Sequence, residues 1–153
     1  MGEGSNVIVV GVDGSECSQA ALEFALREAK AFGVELRAVL VWEDPWAIAG
    51  APSLFGLGHG GRAQLEGTLA DVVKRAIAET GATDVPVRQL LLPGHPADVL
   101  VDQSASARLL VVGTSGRSGL TRALLGSVSQ RCAQLSRVPV VIVPHPAHVA
   151  TPA

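Results

Sequence analysis

The hydrophobic positions change period several times along the chain. Behind Asn6, Val7-Ile8-Val9-Val10-Gly11-Val12 is a run without polar alternation that ends at Asp13-Gly14-Ser15. Such a run predicts a strand covered on both faces. Between Ser18 and Phe32 the residues Leu22, Ala25, Leu26 and Ala29 recur at i, i+3, i+4 and i+7, and Gly33 stands where a helix would stop. Glu35 to Trp42 reads as a second strand. Leu65, Leu69, Val72, Val73 and Ala76 mark a second helix closed by Gly81, and Val87 to Leu92 a third strand. His95-Pro96-Ala97-Asp98 opens a short helix to about Ala105, with Pro96 suited to the first helical position and Asp98 to the positive end of the helix dipole. Leu109 to Val112 forms a fourth strand. Ser127 is placed to cap a helix whose Val128, Cys132 and Leu135 share one face, and Val138 to Val143 forms a fifth strand.

Five strands alternating with four helices predict an α/β fold, an open parallel sheet of the doubly wound kind, as one domain over 1–153 with a loose tail. Pro139 and Pro144 bracket the last strand, and proline cannot donate to a ladder, so this strand belongs at an edge. An apolar edge is an association hazard, and a homodimer through Val138–Val143 is the expectation. One connection is anomalous. Trp42 to Gly61 is long and rich in glycine, proline and apolar residues, and it reads either as a lid or as a disordered connection.

Composition narrows the classes. With 48% hydrophobic and 17% charged residues among 153, the chain is neither disordered nor built to cross a bilayer, since its apolar runs are short. The segment MGEGSN lacks a basic stretch leading into an apolar one, which predicts a cytoplasmic protein. Cys17 and Cys132 make no disulfide framework, and no clustered Cys or His suggests a metal site; Cys132 reads as core. Net charge of −2 argues against a dedicated nucleic-acid binder. The distribution is uneven, however. After Asp102 come five arginines (Arg108, Arg117, Arg122, Arg131, Arg137) and no acid, so an anion would be favoured there.

Open parallel sheets bind ligands at the carboxyl ends of their strands, where strand order reverses. If the first and fourth strands are neighbours, Asp13 and the glycine loop GTSGRSGLTRALLGSVS (113–129) face one crevice. Glycines let backbone N–H groups turn to a ligand, and the following helix adds partial positive charge: a phosphate site by construction. Asp13 suits a ribose hydroxyl or a base amine instead, though it also reads as a turn former that caps the first helix. Neither GxxxxGK[ST] nor GxGxxG is present at the required place.

Gly113-x-x-Gly116, nine residues, then Gly126-Ser127 resemble the ATP-binding pattern of universal stress proteins. The likeness runs over nearly the whole chain, including Asp13-Gly14-Ser15, Gly94-His95-Pro96, Val111-Val112-Gly113-Thr114 and Val138 to Val143. The resemblance implies a sheet in the order 3-2-1-4-5, of the adenine nucleotide α-hydrolase type, with ATP, alone or with Mg²⁺, between the first and fourth strands. It implies Asp13 at adenine or ribose, Val41 at adenine, and Gly11 and Val12 beneath. Gly113, Gly116, Gly126, Ser127, Val128 and Ser129 would hold ribose and phosphates. Arg117 and Arg122 read equally as phosphate partners or as solvated charges.

Two functional classes follow. One is a cytoplasmic nucleotide-gated stress or regulatory module that signals to a protein partner, with at most weak hydrolysis, because the loop carries no acid to hold Mg²⁺ or position water. The other is an adenylyl-transferring or nucleotide-hydrolysing enzyme of related fold, against which GVDGSECS after the first strand weighs. A nucleotide-free structural dimer is the third reading.

Overall fold

The computed structural model describes residues 5–43, 59–114 and 125–145. Its elements, in chain order, are β1 (Val7–Val12), α1 (Glu16–Phe32), β2 (Glu35–Trp42), α2 (His59–Thr80), β3 (Val87–Pro93), α3 (Pro96–Gln103), β4 (Leu109–Gly113), α4 (Ser127–Leu135) and β5 (Val140–Val143). All strand pairs are parallel, and the order is β3-β2-β1-β4-β5. The sequence-based expectation of fold and strand order therefore holds.

Burial divides by strand parity, as a pleated sheet requires. Ile8, Val10 and Val12 of β1 and Leu36, Ala38 and Leu40 of β2 pack beneath Leu22, Leu26 and Ala29 of α1 and Leu69, Val73 and Ala76 of α2. Val9, Val39, Leu110 and Val112 pack on the other face with Ala97 and Leu100 of α3 and Cys132 of α4. The two helix layers explain why the strands read as unbroken apolar runs.

Several boundaries differ from the expected ones. Helix α1 starts at Glu16, because Ser15 caps it: its hydroxyl accepts from the Ser18 N–H at 3.2 Å. Helix α2 begins at His59, inside the expected long loop, where Gly60 and Gly61 hide a helix start from any propensity argument. Helix α3 ends at Gln103 rather than near Ala105. Strand β5 starts at Val140, although the Pro139 carbonyl still accepts the Leu110 N–H at 3.0 Å. The cap of α4 is Gly126 and not Ser127: Gly126 has the extended backbone of a cap (φ −63°, ψ 160°), and Ser127 is already helical. Gly33 and Gly81 stop their helices with left-handed φ values of 67° and 68°, as expected. The lid or linker segment falls mostly on 44–58, and the tail on 146–153, both outside the described residues.

Cys132 is fully buried, and desolvation, followed by the Asp98 carboxylate, pushes its thiol up to about 11. An unfolded thiol ionises near 9. Between those values the unfolded chain sheds a proton that the folded chain keeps, so the stability owed to this site is intact below pH 9 and drains away as pH rises toward 11. Chemical denaturation of wild type against Cys132→Ala over this range should show the gap between them narrowing with pH; a constant gap would show that the thiol titrates normally.

Candidate functional site

The sheet opens where β1 and β4 part. Their last rung is Val10↔Val111, two residues short of the strand ends at Val12 and Gly113. Beyond it the chain leaves β1 into α1 on one face and leaves β4 toward α4 on the other. A cavity of about 530 Å³ lies in the gap, lined by Gly11, Val12, Asp13 and Ser18 from the β1 end, Val39 to Glu43 from β2, Leu65, Pro96 and Leu100 from the helices, and Val112, Gly113 and Gly126 to Ser129 from the β4 side.

The β1 end is a tight polar turn. Asp13 Oδ1 accepts the Ser15 N–H at 2.8 Å, and the Asp13 N–H donates to Ser18 Oγ at 3.2 Å, while Gly14 adopts φ 84°. Asp13 is thus a turn former and a cavity wall at once. The cap of α1 is Ser15 rather than Asp13.

On β2 the hydrogen-bond direction alternates. Glu35 N–H donates to Asn6 on the β1 side, Leu36 N–H donates to Pro86 on the β3 side, and the Trp42 carbonyl accepts from Gly94 next to β3. Odd residues therefore face β1. Val41 is odd, and the β1–β2 ladder ends at Val12↔Leu40, so the Val41 carbonyl lies past the last rung, at the crevice.

The two flanking glycines of the expected motif have different physical explanations. A Cβ on Gly113 would meet Cys17 Cβ at 2.8 Å and the Cys17 backbone at 2.9 Å. Its missing side chain lets α1 approach β4. Gly126 has a φ/ψ pair open to any residue, so its backbone conformation makes no demand for glycine. No side chain caps α4, and the first N–H groups of the helix lack intrahelical partners. Gly126 N–H donates to Thr114 O at 2.6 Å, and Ser129 Oγ donates to Thr114 O at 3.1 Å and Gly126 O at 2.9 Å. The buried Ser129 hydroxyl thus spends its proton on holding the loop ends together.

The structure brings Gly11, Val12, Asp13, Val41, Gly113, Gly126, Ser127, Val128 and Ser129 to one cavity. Gly116, Arg117 and Arg122 lie outside the described residues. Sequence reasoning did not assign Ser18, Val39, Leu40, Trp42, Glu43, Leu65, Pro96, Leu100 or Val112 to the site, although they line the cavity. The Ser15-x-x-Ser18 spacing was a usable signal for the first; Leu65, Pro96 and Leu100 needed the three-dimensional packing. Among the described residues no group of three acids, histidines or cysteines could hold a metal, and no helix is long and apolar enough to cross a membrane.

Comparison with known proteins fits this geometry. Residues 5–144 match the Universal stress protein family. The chain belongs to that family. It is 42% identical over 135 residues to a universal stress protein of Mycobacterium tuberculosis, covering 88% of this chain and 44% of the relative. A universal stress protein of Mycolicibacterium smegmatis is 38% identical over 137 residues, 89% of this chain and 45% of its own length. The chain thus spans less than half the length of these curated relatives. Among solved structures, a universal stress protein in complex with cAMP aligns with a TM-score of 0.69 at 28% identity, covering 94% of this chain and 99% of the other. The universal stress protein from Archaeoglobus fulgidus in complex with dAMP aligns with a TM-score of 0.62 at 26% identity, over 89% and 95%.

The Gly113 contact yields a test of packing separate from any ligand. Gly113→Ala should destabilise the fold by about 1–3 kcal/mol, the usual cost of overpacking against backbone, seen as a lower midpoint in urea. An unchanged midpoint would mean that α1 can back away from β4.

Proposed function

We propose that the chain binds an adenine nucleotide, ATP in the first place, across the crevice between β1 and β4, and works as a nucleotide-gated regulatory module rather than as a catalyst. The observation that carries this reading is the division of one cavity into two chemistries. Apolar walls and the Val41 carbonyl stand at one end; the uncapped N-terminus of α4 at Gly126 stands at the other. The solved relatives in complex with cAMP and dAMP support the adenine part.

In this reading the base lies against Val41, whose carbonyl accepts the exocyclic amine. Guanine, which carries an acceptor at that position, is disfavoured. Asp13 accepts a ribose hydroxyl. The phosphates lie on the N–H groups of Ser127, Val128 and Ser129 at the start of α4, where backbone donors and helix dipole favour an anion. Gly126 is glycine because a phosphate passes where a Cβ would stand. Gly113-x-x-Gly116 and Arg117 complete the phosphate end of the motif. Mg²⁺ accompanying ATP is held by the phosphates and keeps most of its waters, with Asp13 reaching it through one of them. A second copy pairs along the β5 edge, the site is cytoplasmic, and a protein partner reads its occupancy.

Denaturing freshly purified protein and separating the released nucleotide by chromatography should yield ATP. Calorimetric titration should show a loss of about tenfold or more in Gly126→Val and in Asp13→Ala, the scale of a lost charge-assisted contact or a steric block. The unfolding midpoint of Gly126→Val should stay close to wild type, since φ −63° and ψ 160° suit valine. Retained affinity in both variants would place the site elsewhere. Binding of AMP or a cyclic nucleotide in preference to ATP would overturn the triphosphate part alone.

A further inference from the structure

Among the described residues three polar ones are buried: Ser18, Ser104 and Ser129. Ser104 bonds the Val101 carbonyl at the end of α3, and Ser129 ties Thr114 to the start of α4. Ser18, 5% exposed, lines the crevice and is fastened to the turn that carries Asp13. Its Oγ accepts the Asp13 N–H at 3.2 Å and donates to the Ser15 carbonyl at 3.1 Å, while its own N–H donates to Ser15 Oγ at 3.2 Å. The Ser15 N–H closes the circuit on Asp13 Oδ1 at 2.8 Å.

Asp13 stands one residue past the Val12↔Leu40 rung, so no strand ladder orients it. Gly14 behind it, at φ 84°, is the residue type with the widest backbone freedom, so sterics do not fix the turn either. A hydroxyl has one proton. The Ser15 carbonyl can only accept and the Asp13 N–H can only donate, so the direction of both bonds at Ser18 Oγ is settled, and an apolar side chain can make neither. Alanine at position 18 takes this acceptor from the Asp13 N–H and lets the turn pivot at Gly14.

Resting on the nucleotide reading, in which Asp13 accepts a ribose hydroxyl, we infer that Ser18 is a positioning residue that holds Asp13 at the sugar and so sets how strictly the site demands that hydroxyl. It does so without bonding the nucleotide, because its hydroxyl proton is committed to the Ser15 carbonyl. A site that bonds a substrate hydroxyl rejects the analogue lacking it, but only while the bonding group is held in place. Ser15 supplies the contrast. Its side chain caps α1 through the Ser18 N–H and stands outside the bond from Ser18 Oγ to Asp13.

The experiment titrates ATP, 2′-deoxy-ATP and 3′-deoxy-ATP into the full chain and into Ser18→Ala, Ser18→Thr and Ser15→Ala, and measures the urea midpoint of each. Wild type should bind one of the deoxy analogues about tenfold more weakly than ATP, on the scale of one charge-assisted hydrogen bond. Ser18→Ala should bind ATP about tenfold more weakly and no longer distinguish it from that analogue. Ser18→Thr, whose hydroxyl can keep the bond to the carbonyl three residues back, should restore the preference. Ser15→Ala should lower the urea midpoint by loss of a cap and keep the preference. Ser18→Ala that still prefers ATP would overturn the inference, whatever its midpoint, and so would Ser18→Thr that does not. Loss of the preference in Ser15→Ala would overturn it too, by assigning the effect to the helix end as a whole. Wild type binding all three alike would remove Asp13 from the sugar and this inference with it, while the nucleotide site stood; failure to bind any adenine nucleotide would overturn both readings together.

Discussion

Two neighbouring parallel strands whose continuations leave for opposite faces of a sheet cannot close over their own carboxyl ends. This constraint governs the site. β1 feeds α1 above the sheet and β4 leads to α4 below it, and the ladder between them stops at Val10↔Val111 before either strand ends. The crevice is therefore a product of chain connectivity, and the residues in it are those that follow each strand. The polar turn at Asp13 and the helix start at Gly126 sit on its two sides because each begins a crossover.

Much of this was legible because a parallel sheet sandwiched between helices imposes simple patterns. Unbroken apolar runs marked β1 and β4, and the i, i+3, i+4 spacing of Leu22, Ala25, Leu26 and Ala29 marked α1. Gly33 and Gly81 were readable because a left-handed residue ending a helix is usually glycine. The beginnings of helices were harder. His59-Gly60-Gly61 has no local reason to be helical, and nothing in its composition separates it from the loop before it.

The candidate site was legible in part, for a reason that differs among its residues. Asp13 and Gly126 stand at strand and helix ends, where position in sequence nearly fixes position in space. Two glycines of one motif nevertheless differ in their surroundings, Gly113 having no room for a Cβ beside the backbone of Cys17 and Gly126 lining the cavity in a backbone conformation open to any residue, and spacing alone cannot tell these apart. Leu65, Pro96 and Leu100 come from helices whose approach to the crevice depends on tertiary packing. Trp42 lines the cavity because it ends a strand whose carboxyl end opens there.

The hydrogen bonds from Gly126 N–H and Ser129 Oγ to the Thr114 carbonyl make the chain between them a closed ring before any ligand arrives. Most of the entropy of bringing distant chain ends together is thus lost on folding and not on binding. That closure cost grows only with the logarithm of the loop's length, by about 0.6 kcal/mol for each doubling. Residues could be inserted or deleted between 114 and 126 at small thermodynamic expense, so the interior of this ring is where evolution can retune what the site holds without rebuilding the sheet beneath it.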